Sequence, residues 1–249
     1  MSQRGFARGR TAAFGSVLAL FLLGAASAQA ADWGGAPAPT WSGLYAGVHA
    51  GGAWGNASVL DNAADGVTPG PFGYGVSGVF GGATAGLNWQ AGGFVTGIEG
   101  DIGYMNLTGA GIIPSSHMGQ HQDITLKGGV YGDITGRAGL ALGQVLLYGK
   151  GGFAFYTGQA TQATTVIGYA PTGTSTFTGW TAGVGLEQKL SPTLSWKIEY
   201  LHFNLGPQSG YQTALVADPP TPKGYQFYNW TTLVVDTVKV GVNWQFGGS

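Results

Sequence analysis

The feature that most constrains this chain is a segment of about a dozen residues, alternating apolar with small or polar residues, that recurs eight times. A period of two predicts strands, here at approximately 41–54, 78–90, 93–105, 128–141, 144–156, 178–190, 193–204 and 232–246. The breaks between them alternate in length. Those at 90–93, 141–144 and 189–193 are short, whereas those around 55–77, 106–127, 157–177 and 205–231 are long and rich in Gly, Pro, Thr and Asn. Structureless loops of that length are unusual in a compact soluble domain.

Short turns at one end and long loops at the other are typical of outer-membrane barrels. In hydrocarbon every backbone N–H and C=O must be paired internally, so strands cross a membrane only as a closed barrel. One parity of each strand then faces lipid and the other faces the lumen. The pattern predicts an all-β fold: an eight-stranded antiparallel transmembrane β-barrel with short periplasmic turns and long extracellular loops.

The charged residues of the predicted strands support this interpretation because nearly all of them share one parity. The opposite parity is apolar, as in Val238, Val240, Val242, Trp244 and Phe246. A lipocalin-like soluble barrel would reverse that arrangement, and a secreted β-sandwich is the remaining alternative. The interior of an eight-stranded barrel is only wide enough for side chains to fill, and balanced charges can form a buried network. We therefore predict a structural polar network in the lumen: Glu99, Asp101, Asp133, Arg137, Lys150, Glu187, Lys197, Glu199 and Lys239, with Lys189 on the same parity.

The N-terminal residues predict export. Residues 1–30 combine a basic start, an apolar run and the small-x-small site Ala28-Gln29-Ala30, which are the parts of a cleaved signal peptide. Residues 31–40 form a Pro/Ala/Gly lead-in, 41–246 the barrel and 247–249 a short tail. The chain has no Cys, so stability does not depend on disulfides. No basic patch remains after the signal peptide, which argues against nucleic acid as a partner.

Composition fits surroundings that are not entirely water. Charged residues are 8% of the chain, whereas about 25% is usual. The chain has 48 glycines, and average usage would give roughly 17. These glycines follow no collagen period. Trp41, Trp54, Trp89, Trp180, Trp196, Tyr200 and Trp244 lie mostly near strand ends, as aromatic girdles require.

Two local features raise other functions. His117 and His121 flank Met118 in a predicted outside loop, and imidazole and thioether groups bind soft metals or haem iron. A loop fixes no ligand geometry, so we predict no cofactor and keep haem or metal capture as a minor alternative. His49 falls on lumen parity and His202 on lipid parity. Neither lies in a recognisable nucleophile motif, so we predict no enzymatic activity.

Five blocks occur in the order found in one known family: WSGLYAGVHAGGAWG (41–55), GGFVTGIEGDIGY (92–104), LLYGKGGFAF (146–155), WKIEYLHFNLG (196–206) and VKVGVNWQF (238–246). The chain resembles the RopB-type outer-membrane immunogenic protein and porin family, whose members are small OmpA-like eight-stranded barrels. The resemblance implies a Gram-negative surface protein without catalytic residues. It also marks Glu99 and Asp101 as lumen groups typical of the family.

The predicted function is accordingly structural. The chain is expected in the cell outer membrane, contributing to envelope integrity and acting as a surface antigen. The alternative is a narrow porin-like pore for small solutes. Expected partners are outer-membrane lipid and lipopolysaccharide, and the outer-membrane assembly machinery during biogenesis. That machinery reads a C-terminal strand that alternates up to a near-terminal aromatic, here Phe246.

Overall fold

A computed structural model describes residues 40–61, 70–114, 121–164, 172–206, 212–215 and 225–246. The predicted signal peptide, the lead-in apart from Thr40, and the tail at 247–249 lie outside these ranges. The strands are β1 (Gly43–Asp61), β2 (Gly70–Ala91), β3 (Phe94–Pro114), β4 (His121–Leu142), β5 (Val145–Thr164), β6 (Thr172–Lys189), β7 (Leu194–Leu205), β8 (Gln212–Leu215) and β9 (Tyr225–Phe246). No helix of the described ranges is long and apolar enough to cross a membrane.

The strands form one antiparallel sheet that closes on itself. Each of β1 to β6 pairs with the next strand along the chain, and β7 pairs with β9. Pairing of β1 with β9, which begins at Leu44 opposite Phe246, closes the circle. Among the described strands the short β8 pairs with β9 alone, so it lies outside the closed wall. The wall is therefore an eight-stranded antiparallel barrel, which confirms the predicted fold class.

One end of the barrel carries the short connections, and we call it the turn end. Two of these turns contain a glycine with positive φ, Gly92 at 60° and Gly143 at 64°. Glycine adopts this left-handed conformation without the steric cost that a side chain adds. The third short connection spans 190–193, where Leu190 N–H donates to the carbonyl of Leu194. All three turns lie where the sequence predicts them.

At the opposite end, which we call the loop end, the strands are longer than predicted. Pairing of β3 with β4 continues beyond a register shift between Met105 and Gly109, up to Pro114 opposite His121. Residues 55–61, 70–77, 106–114, 121–127, 157–164 and 172–177 are likewise strand, although the composition predicts loops there. Backbone pairing needs no apolar face, so the wall continues where the alternation of the sequence has faded.

The two faces of the wall follow the predicted parity. Val48 and Ile134 on the outer face are 65% and 71% exposed, whereas Glu99 on the inner face is 1% exposed. The prediction that Trp41 belongs to an aromatic girdle is wrong. Trp41 is buried at the turn end, where its Nε1–H donates to the carbonyl of Gly143 and the Lys189 ammonium lies 5.0 Å from its ring centroid.

Candidate functional site

The barrel interior is arranged in three layers along its axis. The middle layer holds the nine residues predicted for the lumen, which we call the central network. Six strands contribute to it: β3, β4, β5, β6, β7 and β9. All nine side chains point inward and are buried: Glu99, Asp101, Asp133, Arg137, Lys150, Glu187, Lys197, Glu199 and Lys239.

Glu99 is the hub of the central network. Its Oε2 accepts a hydrogen bond from the Tyr45 hydroxyl at 2.7 Å and pairs with Arg137 Nη1 at 3.3 Å and Lys197 Nζ at 3.1 Å. Its Oε1 accepts from Lys150 Nζ as well. Three cations from three strands thus converge on one carboxylate, which joins opposite sides of the wall through the lumen.

Arg137 links the hub to the turn end. Its Nη2 pairs with Glu187 at 2.8 Å, while Nη1 reaches Glu99. The guanidinium carbon lies 4.0 Å from the ring centroid of Tyr148 and 5.5 Å from that of Tyr45. Stacking of arginine on aromatic faces supplements its hydrogen bonds. Arg137 is thus contacted by two carboxylates and two aromatic rings.

Asp101 is a second centre, one row nearer the loop end. Its Oδ2 pairs with Lys239 at 2.7 Å and with Lys150 at 3.1 Å. Its Oδ1 accepts from the Thr84 hydroxyl and lies 3.5 Å from His49 Nδ1. His49 is therefore a buried member of the interior, in agreement with its predicted lumen parity.

Glu199 completes the middle layer from β7. It pairs with Lys239 at 2.7 Å and with Lys197 at 3.5 Å, and accepts from the Tyr148 hydroxyl at 2.5 Å. One oxygen each of Glu99, Asp101 and Glu199 lie within 4.8 Å of one another, a spacing that a metal ion could bridge. The lysine ammonium groups already occupy these oxygens and compensate their charge, so the donor set does not fit a metal ion.

Asp133 differs from the other carboxylates. It is buried, and neither of its oxygens has a hydrogen-bond partner among the described residues. Its register partner on β3 is Asp101, so its nearest cross-strand neighbour carries the same charge. Its parity was predicted from the sequence, but its lack of a partner depends on three-dimensional packing.

The layer at the loop end is apolar, although the alternation of the sequence predicts small or polar residues on the lumen parity throughout. Instead, a cluster that we call the apolar plug fills this half of the barrel, and its larger members are Tyr74, Val76, Phe80, Met105, Leu107, Leu126, Tyr131, Tyr156, Phe177, Leu201, Phe203, Leu205, Leu233 and Val235. A signal was present, because Phe80 beside Val79 and Leu201 beside Tyr200 are bulky on both parities.

The apolar plug is tightly packed. Phe80 and Tyr131 meet edge to face with ring centroids 5.6 Å apart, and the Tyr131 hydroxyl bonds His49 Nε2 at 2.5 Å. A cavity among Met105, Tyr131, Phe203 and their neighbours measures about 10 Å³, room for at most one water molecule. The layer at the turn end is a smaller apolar cluster of Trp41, Val95, Leu146 and Tyr148, the turn-end cap. The central network thus lies between the apolar plug and a turn end where this small cluster is accompanied by buried polar side chains, among them Lys189, Asn243 and Gln245.

The other sequence candidates lie elsewhere. His117 falls outside the described residues, and although His121 begins β4, its side chain is not described. His202 is on the outer face of β7, where its Nδ1 bonds Asp236 Oδ1 at 2.8 Å. Asp236 was missed, although it sits on the apolar parity of the last predicted strand, where an acidic residue is an exception.

A closed eight-stranded barrel with an apolar outer face and a charged, filled interior defines a class of protein, the integral outer-membrane β-barrel. Comparison with known proteins agrees. Residues 16–246 match the family model described as "Outer membrane protein beta-barrel domain", and the chain belongs to that family. It is a protein of the cell outer membrane.

Named relatives include the "25 kDa outer-membrane immunogenic protein" of Brucella canis, 30% identical over 166 residues that make up 66% of each chain. The protein of the same name in Brucella melitensis is 29% identical over 172 residues, 69% of this chain and 68% of the relative. Similar solved structures include Ail of Yersinia pestis, with 14% identity and a TM-score of 0.37, covering 82% of this chain and 99% of that one. The outer membrane protease OmpT of Escherichia coli gives 11% identity and a TM-score of 0.44, covering 82% and 97%.

Proposed function

We propose that this protein is a non-conducting structural component of the outer membrane, whose barrel anchors the loop end at the cell surface. One observation carries the proposal: the apolar plug closes the loop-end side of the central network, whose charges apart from Asp133 are paired across the lumen. A hydrated pore needs a continuous polar path. Here the plug meets the network through His49, whose Nε2 bonds the Tyr131 hydroxyl and whose Nδ1 lies 3.5 Å from Asp101 Oδ1.

The names of the relatives support a surface role. The Brucella proteins are called outer-membrane immunogenic proteins, and we extend to this chain the role of surface antigen together with a contribution to envelope integrity. Outer-membrane lipid and lipopolysaccharide are the proposed surroundings of the wall. The assembly machinery is the proposed partner during biogenesis, because the outer face of β9 presents exposed Val240, Val242, Trp244 and Phe246 up to its end.

We propose no catalytic activity. The imidazole of His202 contacts Asp236 and, with its ring centroid 5.5 Å away, Trp180. Among the described residues no hydroxyl or thiol is bonded to this imidazole, and an enzyme site requires a nucleophile and a base in mutual reach.

Planar-bilayer recording tests the proposal. Purified wild-type protein, shown to be folded by heat-modifiable migration in detergent gels, is expected to give no reproducible conductance steps. The matched variant combines Phe80→Ala and Tyr131→Ala, which removes both rings at the boundary between plug and network. Steps seen with this variant alone would assign the seal to the plug. Reproducible steps with the wild type would reject the structural role and favour a narrow pore.

A further inference from the structure

The outer face of the barrel carries a polar group where apolar residues are the rule. Asp236 of β9 lies on the parity of Val238 and Val240, and its Oδ1 accepts hydrogen bonds from the Tyr200 hydroxyl at 2.6 Å and from His202 Nδ1 at 2.8 Å. The two members of the His202–Asp236 pair are partly exposed, with 32% and 26% of their side-chain surface accessible. A bonded acid–imidazole pair is therefore an exception on a surface that is otherwise apolar, as the lipid-facing side of a membrane barrel requires.

Exposed aromatic rings surround this pair. Trp54 of β1 is the register partner of Asp236, and His202 of β7 is its partner on the other side, so three strands place these residues in one row. The Trp180 ring centroid lies 5.5 Å from that of His202. Trp54, Trp180 and Tyr200 are 43%, 50% and 41% exposed. We call Trp54, Trp180, Tyr200, His202 and Asp236 the rim cluster.

The position of the rim cluster sets its depth in the membrane. Tyr and Trp concentrate at the level of the lipid headgroups, where an apolar ring and a polar tip are both satisfied. The cluster lies on the loop-end side of Val238, Val240 and Val242, which are the apolar residues of the same strand face. It therefore faces headgroups of the outer leaflet, given the proposed function, in which the loop end points outward.

The groups left unbonded define the chemistry of a ligand. Both bonds to Asp236 use Oδ1, and Oδ2 receives none from the described residues. Donation from His202 Nδ1 leaves Nε2 of this partly exposed ring without a hydrogen bond to the described residues. The site thus offers a charged hydrogen-bond acceptor and an imidazole nitrogen between two indole rings and a phenol. A ring with apolar faces that carries hydroxyl and amide N–H groups fits these acceptors and aromatic rings. A phosphate does not, because the carboxylate repels it.

We propose that the rim cluster binds the saccharide headgroup of an outer-leaflet glycolipid, an acylated amino-sugar disaccharide. Asp236 Oδ2 accepts from sugar hydroxyl or amide groups, and the rings of Trp54 and Trp180 pack against the sugar faces. The proposal rests on the proposed function, because it needs this wall in the outer membrane. It adds a defined position at which the surrounding lipid is recognised through its sugar and not through its phosphates.

Native mass spectrometry of the folded protein in a detergent without sugars tests the site. The probe is a synthetic acylated glucosamine disaccharide without phosphates, with phosphatidylethanolamine for comparison. Wild-type protein is expected to retain the disaccharide lipid in preference to the phospholipid. Asp236→Ala removes charge-assisted hydrogen bonds and should weaken binding by roughly tenfold to a hundredfold. Tyr104→Ala is the matched control, since Tyr104 is an exposed aromatic on β3, and it should bind as the wild type does.

Folding is checked for each variant by heat-modifiable migration. Should Asp236→Ala not fold, Trp180→Ala takes its place, because it removes a flanking ring and leaves the hydrogen bonds to Asp236 intact. Unchanged binding by the folded variant would overturn the proposal. The third probe is the same disaccharide lipid carrying phosphates. The proposal would also be overturned if the wild type bound only this phosphorylated lipid and Asp236→Ala bound it more tightly. Conductance of the wild type would refute the closed-barrel function without affecting this binding result, so the two failures are distinguishable.

Discussion

Glu99→Gln is the substitution that most directly tests how the interior holds the barrel together. It removes the charge and keeps the shape of a side chain that is 1% exposed. Arg137 and Lys197 lie 3.3 and 3.1 Å from its oxygens, and Lys150 contacts it too, so all three cations lose their common partner. Removing one partner of a buried ion pair costs about 3–5 kcal/mol. We expect the free energy of unfolding to fall by that amount.

Asp133→Asn supplies a control of the same chemistry in the same layer. This change also converts a buried carboxylate into an amide, but Asp133 has no hydrogen-bond partner among the described residues and lies opposite Asp101. A buried polar group without a partner costs about 1–3 kcal/mol, and more when charged. Neutralising it should leave the free energy of unfolding unchanged or raise it by about 1–3 kcal/mol.

The measurement is unfolding in urea in detergent or lipid, with the folded fraction read from heat-modifiable migration. The slope of the free energy of unfolding against urea concentration should stay the same in the variants, so that a change in midpoint reports a change in stability. Glu99→Gln is expected to lower the midpoint, whereas Asp133→Asn is expected to leave it unchanged or raise it. A fall of similar size in both, or a Glu99→Gln midpoint equal to that of the wild type, would refute the reasoning that paired charges stabilise the interior.

Two further pairs of variants compare the inner and outer faces of the wall by the same unfolding measurement. An added Cβ at Gly183 would meet Leu201 Cδ2 at 2.8 Å, whereas at Gly136 it meets nothing within 4 Å. Gly183→Ala should therefore lower the free energy of unfolding by about 1–3 kcal/mol or more. Gly136→Ala should lower it by less than about 0.5 kcal/mol. Equal effects would contradict this difference between the faces. Leu201→Ala, in the apolar plug, should cost about 2–5 kcal/mol, and Val240→Ala, 52% exposed to lipid, clearly less. A large loss for Val240→Ala alone would show that the plug contributes little.

The middle of the barrel could be predicted from the sequence because the membrane imposes a strict choice there. A charge on the outer parity would face hydrocarbon, so charged residues are confined to the inner face. Glu99 is an example, because its chain neighbours Ile98 and Gly100, on the outer parity, are uncharged. The same constraint identifies Arg137 and Lys197 as inward-facing. Which carboxylate pairs with which cation could not be predicted, since the partners of Glu99 come from strands far apart in sequence.

The loop end could not be predicted because that constraint no longer applies there. Residues 106–114 of β3 include Asn106, Thr108 and the run Gly109-Ala110-Gly111, and such a composition is also typical of loops. Their pairing with β4 becomes visible only as register. The apolar plug escaped prediction for a related reason. Inward-facing Phe80 and Leu201 look like lipid-facing residues when a lumen is assumed to be polar.

The abundance of glycine and that of aromatic residues are two consequences of one packing problem. A closed wall of eight strands leaves an interior that side chains alone must fill, and the rings that fill it lie over glycines of neighbouring strands. An added Cβ at Gly51 would meet Phe80 Cε1 at 2.8 Å, and one at Gly103 would meet Tyr131 Cε1 at 2.8 Å. Replacing these glycines would displace the rings that separate the central network from the loop end. Glycine on the inner parity therefore gives large side chains the space to seal a narrow barrel.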